Sequence, residues 1–247
     1  MSDNWYLDEK LWRDFYPCLF SDVLFEQAET QVDQIFRLIG HKPEQVLDLA
    51  CGPGRHTLPL LRAGCTVTAV DASAFLLDDL NKRLAAESLT ADVQQANMLD
   101  FKRDQAFDLA ISMYTSFGYF DAPDDDRRVL NNVCHSLREG GQLVIDVVGK
   151  EYLTRHIEPV TAREFGEDSI LVEQPRLENN MSKMVNDWLL IRGDEVFRTS
   201  FSHNVYSAIE LQDRLFEAGF TSVAIYGGLA GEDYDIDAER LVVVAGK

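Results

Sequence analysis

The sequence of 247 residues lacks several features that would point to particular classes of protein. No segment approaches the roughly 18 consecutive apolar residues of a membrane span. The first residues, M-S-D-N-W, contain neither the basic nor the apolar region of a signal peptide. The cysteines, at positions 18, 51, 65 and 134, form no C-x-x-C pair, so neither a zinc site nor a disulfide framework is indicated. We therefore expect a cytoplasmic protein that binds no metal and no membrane.

Basic residues are also scarce. The chain has 23 Lys and Arg against 42 Asp and Glu, a formal net charge of −19. Such a field repels polyanions, and the densest basic clusters, Lys102-Arg103 and Arg127-Arg128, are only pairs. We expect no nucleic-acid partner and favour a small molecule.

From Val46 onward the pattern is an alternation of strands and helices. Apolar runs predict strands at about 45–49, 66–70, 91–95, 107–112 and 141–147, with helices near 54–63, 73–87 and 123–138. Alternation of this kind gives a parallel sheet that is covered by helices on both faces. The pattern resumes after Ser207-Ala-Ile-Glu210, a capping box, and ends in two strands near 221–226 and 240–245.

Two segments depart from this rhythm. Residues 161–206 read as strands with turn signals between them, which predicts an antiparallel insertion. Near the N-terminus, Val32, Ile35, Phe36 and Ile39 form the stripe of an amphipathic helix. We therefore divide the chain into an N-terminal helical cap (1–43), a central domain (44–150 and 206–247) and an antiparallel β insertion (151–205) over the active site.

The most informative segment runs from Val46 to Thr57 (V-L-D-L-A-C-G-P-G-R-H-T), followed by V-T-A-V-D-A-S at residues 67–73. Gly52 and Gly54 allow the backbone to turn sharply and approach a ligand closely. The helix that follows points its free N–H groups at that turn. Asp71, at the end of the next strand, is placed to accept hydrogen bonds from two ribose hydroxyls. The pattern predicts an adenosine-containing ligand.

The string D-L-A-C-G-P-G resembles the first motif of the class I S-adenosylmethionine-dependent methyltransferases, with Ala50 in place of the usual first glycine. Further segments similar to that family lie at 95–101, 107–113, 137–146, 211–220 and 241–247. The resemblance covers roughly residues 44–150 and 206–247. It implies an α/β fold with a Rossmann-like, doubly wound, seven-stranded and mostly parallel sheet, an antiparallel β insertion before the last helix, and S-adenosyl-L-methionine as cofactor.

The resemblance assigns cofactor contacts to the motif residues. The turn Gly52–Gly54 approaches the methionine part, and Asp48 braces that turn or reaches the ligand's ammonium group. Arg55 either attracts the cofactor carboxylate or is a solvated arginine at the helix start. Asn97 stands where the family commonly has an aspartate, and its amide oxygen can accept from the adenine amino group. The other residues expected at the cofactor are Ala50, Ala72, Met98, Met113, Tyr114 and Tyr16.

A second motif, M-Y-T-S-F-G-Y-F at residues 113–120, follows the fourth predicted strand. Its S-F-G-Y-F part is similar to a group of bacterial small-molecule methyltransferases. We expect Tyr114 and Phe117 near the methyl group and Tyr119 toward the substrate, since aromatic faces suit a sulfonium. In the alternative, Phe117 and Phe120 only pack against the next helix.

Other side chains carry weaker signals. His203 shares a strand face with apolar neighbours, so it is either a base in the pocket or a core histidine. We take Tyr114 and His203 as the candidate catalytic residues. Trp12, Tyr16 and Phe20 either form a lid over the cofactor or have an ordinary packing role. Met98 either flanks the adenine ring or belongs to the core.

These observations predict transfer of a methyl group to nitrogen or oxygen of a small molecule by in-line displacement, in a monomer or homodimer. Two alternatives stay open. A nicotinamide-dependent oxidoreductase is disfavoured because Thr57 occupies the place of the third glycine in G-x-G-x-x-G. A non-catalytic S-adenosylmethionine-binding protein is left open by Ala50 and Asn97, which depart from the family pattern.

Overall fold

The computed structural model describes residues 4–165 and 168–247. In that part the chain forms eleven strands. The seven strands of the central sheet are β1 (Gln45–Leu49), β2 (Thr66–Asp71), β3 (Asp92–Gln95), β4 (Phe107–Ser112), β5 (Leu137–Val147), β10 (Ser222–Tyr226) and β11 (Leu241–Gly246). The four strands between them are β6 (Thr161–Phe165), β7 (Ser169–Glu178), β8 (Lys183–Arg192) and β9 (Glu195–Asn204).

The helices surround the sheet. They are α1 (Glu9–Leu19), α2 (Asp22–Ile39), α3 (Thr57–Arg62), α4 (Ala74–Glu87), α5 (Pro123–Ser136), α6 (Lys150–His156) and α7 (Ala208–Glu217). A 3₁₀ turn at Trp5–Leu7 precedes α1. The predicted capping box begins α7, with the Ser207 hydroxyl and the Glu210 carboxylate each bonded to the other residue's N–H. No helix of the described residues is long and apolar enough to cross a membrane.

The central sheet has the spatial order β10-β11-β5-β4-β1-β2-β3. The strands from β5 to β3 pair in parallel, whereas β11 is antiparallel to both of its neighbours. This arrangement confirms the predicted Rossmann-like, doubly wound fold. The chain order reverses between β4 and β1, so that the carboxyl ends of these two strands border the crevice in which open α/β sheets bind ligands.

Sequence periodicity placed most elements correctly, with a few shifts. The helix after the glycine turn begins at Thr57 rather than Gly54, because Gly54 has a left-handed backbone with φ +87°. Strand β5 begins at Leu137 rather than 141, since Leu137 is extended and pairs with Phe107. Helix α6, which the sequence analysis did not predict, spans only seven residues.

The predicted antiparallel insertion is present, with the order β6-β7-β8-β9 and α7 directly after it. Its inner face packs on the N-terminal cap. The ring centroids of Trp5 and Phe201 are 4.7 Å apart, and those of Phe15 and Trp188 are 5.7 Å apart. The Trp5 indole also donates to the Ser202 carbonyl at 2.7 Å. The insertion therefore packs on the cap, and none of its described residues lines the cavity described next. Its predicted position over the active site stays a prediction.

Candidate active site

A cavity opens at the carboxyl ends of β1, β2 and β4, and its empty volume is about 1020 Å³ when the space open to solvent is included. Ten of the twelve residues expected at the cofactor line it: Asp48, Ala50, Gly52, Arg55, Asp71, Ala72, Asn97, Met98, Met113 and Tyr114. Tyr119, expected at the substrate, lines it too. Gly54, Tyr16, Phe117 and His203 are not among the lining residues. The sequence motifs that lie far apart along the chain thus meet in one place.

The glycine turn forms one wall. Ala50, Gly52 and Gly54 all have positive φ, at 60°, 56° and 87°. At Ala50 this conformation costs roughly 1–2 kcal/mol, which explains why a glycine is usual there. A Cβ on Gly54 would collide with Leu80 of α4, so this glycine serves helix packing. Gly52, and not Gly54, lines the cavity, so the contact of Gly54 with the cofactor stays a prediction.

Asp71 is held in a fixed orientation at the end of β2. One carboxylate oxygen accepts from the Gly52 N–H at 2.8 Å, and the other accepts from the Ser73 N–H at 2.9 Å. Burial raises the pKa of Asp71, and these backbone bonds oppose that rise. Since an ionised carboxylate offers about four acceptor sites, the two bonds leave capacity for ligand hydroxyls.

Asp48 is buried beneath the turn. It accepts a 2.6 Å hydrogen bond from the Thr57 hydroxyl, so Thr57, where a dinucleotide motif has a glycine, braces this carboxyl. Burial raises the pKa of Asp48 to about 7, with Asp71 adding a smaller repulsion. Asp48 both braces the turn and faces the cavity, so the two expectations for it are compatible.

Asn97 connects the predicted adenine turn to the N-terminal cap. Its amide oxygen accepts from the Leu99 N–H at 3.0 Å, and its amino group donates to the Tyr6 hydroxyl at 3.1 Å. The oxygen has a second lone pair for a ligand. Met98 lines the cavity and also packs on the main core, so its two interpretations both apply.

Tyr114 begins a strained turn after β4. Tyr114 and Thr115 have φ of 58° and 64°, unusual values for residues with side chains. Asp146 holds the turn by accepting from the Tyr114 N–H at 3.2 Å and pairing with Arg240 at 2.7 Å. The Arg55 guanidinium lies 4.3 Å from the centre of the Tyr114 ring. Arg55 is buried, so it is not a solvated arginine at a helix start.

The N-terminal cap supplies the opposite wall. It contributes Tyr6, Trp12, Leu19 and Phe20 to the cavity lining. Trp12 and Phe20 were proposed as a lid from the sequence, whereas Tyr6 and Leu19 were missed because neither belongs to a motif. The Glu9 carboxylate accepts hydrogen bonds at the start of α4, from the Ser73 hydroxyl and the N–H groups of residues 74 and 75, at 2.8–3.1 Å.

Tyr16 is the cap residue that sequence reasoning placed wrongly. Its hydroxyl donates to Asp79 and accepts from Arg83 on α4, outside the cavity. Burial and the Asp79 carboxylate raise the pKa of Tyr16 to about 12. Tyr16 therefore fastens α1 to α4 and is not a cofactor contact.

Two further expectations are also corrected. Phe117 is buried and packs against Tyr206, with ring centroids 5.7 Å apart, whereas Phe120, which was paired with it in the packing alternative, lines the cavity. His203 pairs with Met184 in the insertion and does not line the cavity. Burial lowers the pKa of His203 to about 4, so it is neutral near pH 7, and its role as a base has no support from the cavity lining. Tyr119 and Tyr114 remain as hydroxyl-bearing aromatics at the cavity.

His56 also lines the cavity. Its ring lies 3.0 Å from the Gln31 amide oxygen, and burial lowers its pKa to about 3. The described residues contain no cluster of three or more His, Cys, Asp or Glu that could hold a metal ion. The arrangement thus offers carboxylates, backbone groups and aromatic faces to an organic ligand.

The chain is similar to known methyltransferases in sequence and in fold. A family model described as a methyltransferase domain matches residues 46–141. The cypemycin N-terminal methyltransferase of a Streptomyces species is 26% identical over 221 residues, which is 83% of this chain and 84% of that protein.

Two solved structures share the fold. One is an S-adenosylmethionine-dependent methyltransferase from Clostridium acetobutylicum, with a TM-score of 0.80, 17% identity, and coverage of 96% of this chain and 97% of the other. The second is CalS10, an amino pentose methyltransferase from Micromonospora echinaspora with bound S-adenosylmethionine, with a TM-score of 0.73, 17% identity, and 96% and 97% coverage. The ligand of the CalS10 structure is S-adenosyl-L-methionine, the cofactor that the sequence predicts for this chain. The family model therefore indicates a methyltransferase domain over residues 46–141, and the solved structures share its fold.

Proposed function

We propose that the protein transfers a methyl group from S-adenosyl-L-methionine to nitrogen or oxygen of a small molecule. The observation that carries this proposal is the cavity itself. It combines the fixed carboxylate of Asp71 and the glycine turn on one side with the aromatic residues of the cap on the other. When bound, S-adenosylmethionine supplies an electrophilic methyl group on a sulfonium, open to in-line displacement.

The residues of the sheet edge fit the parts of this cofactor. Asp71 offers acceptors to vicinal hydroxyls, as a ribose requires. Asn97 and Met98 offer an amide oxygen and a thioether to a flat ring. Gly52 lacks the Cβ that would come within 3.3 Å of the Phe20 ring, and so keeps that space open. We assign the ribose, adenine and methionine ends to these three places.

Alignment is the main task of the chain in this chemistry, because the reacting atoms must approach to roughly 3–3.5 Å in line. Asp146 and Arg240 hold the Tyr114 turn at the end of β4, next to the expected methyl position. Tyr119 packs against Trp5, with ring centroids 4.6 Å apart, and lines the same cavity. We propose that Tyr114 flanks the methyl group and that Tyr119 contacts the acceptor.

We propose a small acceptor for two reasons. The cap places Tyr6, Trp12 and Phe20 across the cavity, which leaves little room for a polymer. The net charge of −19 repels nucleic acids. The amino pentose methyltransferase and the cypemycin methyltransferase named above are in keeping with an amine acceptor. A cytoplasmic location and a monomeric or homodimeric state stay predictions.

Calorimetry and turnover test this function. S-adenosylhomocysteine should bind, and NAD should give no heat, because Thr57 and its partner Asp48 fill the place of a third glycine. Transfer of labelled methyl from S-adenosylmethionine to a panel of amines, phenols and acids should then identify an acceptor. Binding of NAD without binding of S-adenosylhomocysteine would reject the proposal. Binding without turnover across the whole panel would favour the non-catalytic alternative.

A further inference from the structure

The insertion sheet has an apolar outer face. Successive residues of a strand point to opposite sides, so every second residue of β7, β8 and β9 points away from the cap. Five of these outward residues are aliphatic, and we call them the outer patch: Ile170, Val172, Leu189, Ile191 and Val196. Ile170 is 38% exposed and Val196 is 52% exposed, and the other three are partly exposed.

Strand register makes the outer patch continuous. Ile191 lies opposite Ile170 on one side and Val196 on the other, and Val172 lies opposite Leu189 in the neighbouring row. Residues paired in this way have Cβ atoms about 4.5–5.5 Å apart. Val172 and Leu189 also line a depression that is open to solvent. The described chain therefore leaves a contiguous aliphatic surface in water, which is the usual mark of an interaction site.

The other end of the same face is covered. Ser202 of β9 points to this side too, yet it is only 8% exposed. The loop after β4 contacts this end of the strand: Asn204 donates from its backbone N–H to the Gly118 carbonyl at 2.6 Å and from its side chain to the Phe120 carbonyl at 2.7 Å. The fold thus buries a hydroxyl while five aliphatic side chains face solvent, the reverse of the usual preference. A partner on the outer patch removes this imbalance.

Two charged residues flank the outer patch. Glu164 on β6 lies opposite Ile170, and Arg198 on β9 lies opposite Leu189, so the acid and the base are at opposite edges of the sheet. Both are exposed, and neither forms an ion pair with another described residue. A two-fold axis parallel to the strands places β6 of one copy over β9 of a second copy. Glu164 of each copy then approaches Arg198 of the other. Ile170 faces Ile191 across the same axis.

We propose that the outer patch is the interface of a homodimer in which two insertion sheets pack face to face. The face matches its own copy, because its centre is apolar and its opposite edges carry opposite charges. A nucleic acid or an anionic membrane does not match it, since the net charge of −19 repels both. This dimer is independent of the methyl-transfer chemistry, because the outer patch lies outside the cavity.

Sedimentation equilibrium at several protein concentrations tests this interface. Wild type should show a reversible monomer–dimer equilibrium with a measurable dissociation constant (Kd). Ile170→Lys should raise the dimer Kd by about tenfold or more, because it buries an unpaired charge against Ile191 of the second copy. In the monomer this position is already exposed and lies beside Glu164. The melting temperature should therefore stay unchanged at a concentration at which wild type is monomeric.

Ile209→Lys is the matched control. Ile209 is 61% exposed on α7, outside the outer patch, so the same substitution there should leave the dimer Kd unchanged. A wild type that stays monomeric at every concentration overturns the interface. So does a dimer that Ile170→Lys leaves intact, or that Ile209→Lys disrupts equally.

Charge reversal tests the two-fold arrangement with exposed residues only. Glu164→Arg and Arg198→Glu should each raise the dimer Kd, because each brings like charges together across the interface. The double variant exchanges the two charges and should return the Kd to within about threefold of wild type. Weakening in both single variants without recovery in the double variant overturns the proposed face-to-face packing.

Discussion

The two sides of the cavity are held in different ways. On the sheet side, β1 and β4 are almost completely buried, and Asp71 is fixed by two backbone N–H groups. On the cap side, aromatic contacts dominate, and the described polar ties to α4 are those of Glu9, Tyr16 and the Arg83 guanidinium. From this difference we expect the sheet side (Asp48, Gly52 and Asp71), called the floor below, to be preformed. We expect the cap side (Tyr6, Trp12 and Phe20), called the wall, to be the part that opens when a ligand enters.

The largest expected effect is that of Asp48, the buried acid of the floor, on the pH dependence of stability. Burial raises the pKa of Asp48 from 3.8 to about 7, so folding favours its protonated form. Its contribution to stability is full below pH 3.8 and is lost as the pH rises through about 7. The free energy of unfolding should therefore fall with pH, by at most about 1.4 kcal/mol per pH unit from this group. Asp48→Asn should remove that slope in urea titrations at pH 4–8.

Asp126 offers a control outside the cavity. It is buried on α5, accepts from Asn204 and Tyr206, and has its pKa raised to about 6 by burial. Asp126→Asn should reduce the decrease of the unfolding free energy with pH only up to about pH 6. Affinity for S-adenosylhomocysteine should rise with pH through 7 in wild type and in Asp126→Asn, but not in Asp48→Asn. Identical pH profiles for all three proteins would contradict the assignment.

Asp71→Ala should produce the next largest effect. Loss of its hydrogen bonds to the ligand and to the turn should weaken S-adenosylhomocysteine binding by about 2 kcal/mol, roughly 30-fold. Calorimetry measures this directly. Asp100→Ala is the control, because that carboxylate is 68% exposed and pairs only with Arg128. An affinity within twofold of wild type in Asp71→Ala would remove Asp71 from the ribose site.

Glu9→Ala tests the wall. Glu9 accepts three hydrogen bonds at the start of α4, so its removal should lower the free energy of unfolding by about 1 kcal/mol, as for other helix caps. If the cap opens for ligand exchange, S-adenosylhomocysteine should also dissociate several times faster in stopped-flow experiments. Glu29→Ala, an exposed acid on α2, should leave the dissociation rate unchanged. A normal rate in Glu9→Ala would mean that the cap does not control exchange.

The same comparison explains what the sequence could predict. The floor could be predicted because its backbone conformation favours particular residue types. Gly52 has a φ of 56°, which favours glycine, and Asp71 ends a strand at a point where backbone N–H groups need an acceptor. Residue preferences of this kind are recognisable in the sequence as a motif. The wall depends on where α1 docks against α4 and the insertion, and no local pattern at Tyr6 or Leu19 records that docking.

The alternation of apolar and polar residues predicted which residues share a strand face, but not which part of the chain packs on that face. His203 and Phe201 do share a face of β9, yet Trp5 of the cap packs on that face. In the loop after β4, Phe117 and Tyr119 take different places although they are only two residues apart. Gly118, which lies between them, has a φ of 104°, so the alternation of a strand does not apply to this loop.

The smallest expected effect separates substrate from cofactor within the cavity. Tyr119 lines the wall that joins the cap to the β4 loop, and burial raises the pKa of its hydroxyl to about 12, so it acts as a neutral hydrogen-bonding group. Tyr119→Phe should change acceptor KM by about 1 kcal/mol or less, within fivefold, and leave S-adenosylhomocysteine affinity unchanged. Tyr16→Phe removes a hydroxyl outside the cavity and should change stability alone. If Tyr119→Phe instead lowered the affinity for S-adenosylhomocysteine and left the acceptor KM unchanged, Tyr119 would be a cofactor contact. The acceptor would then have to lie nearer to Tyr114.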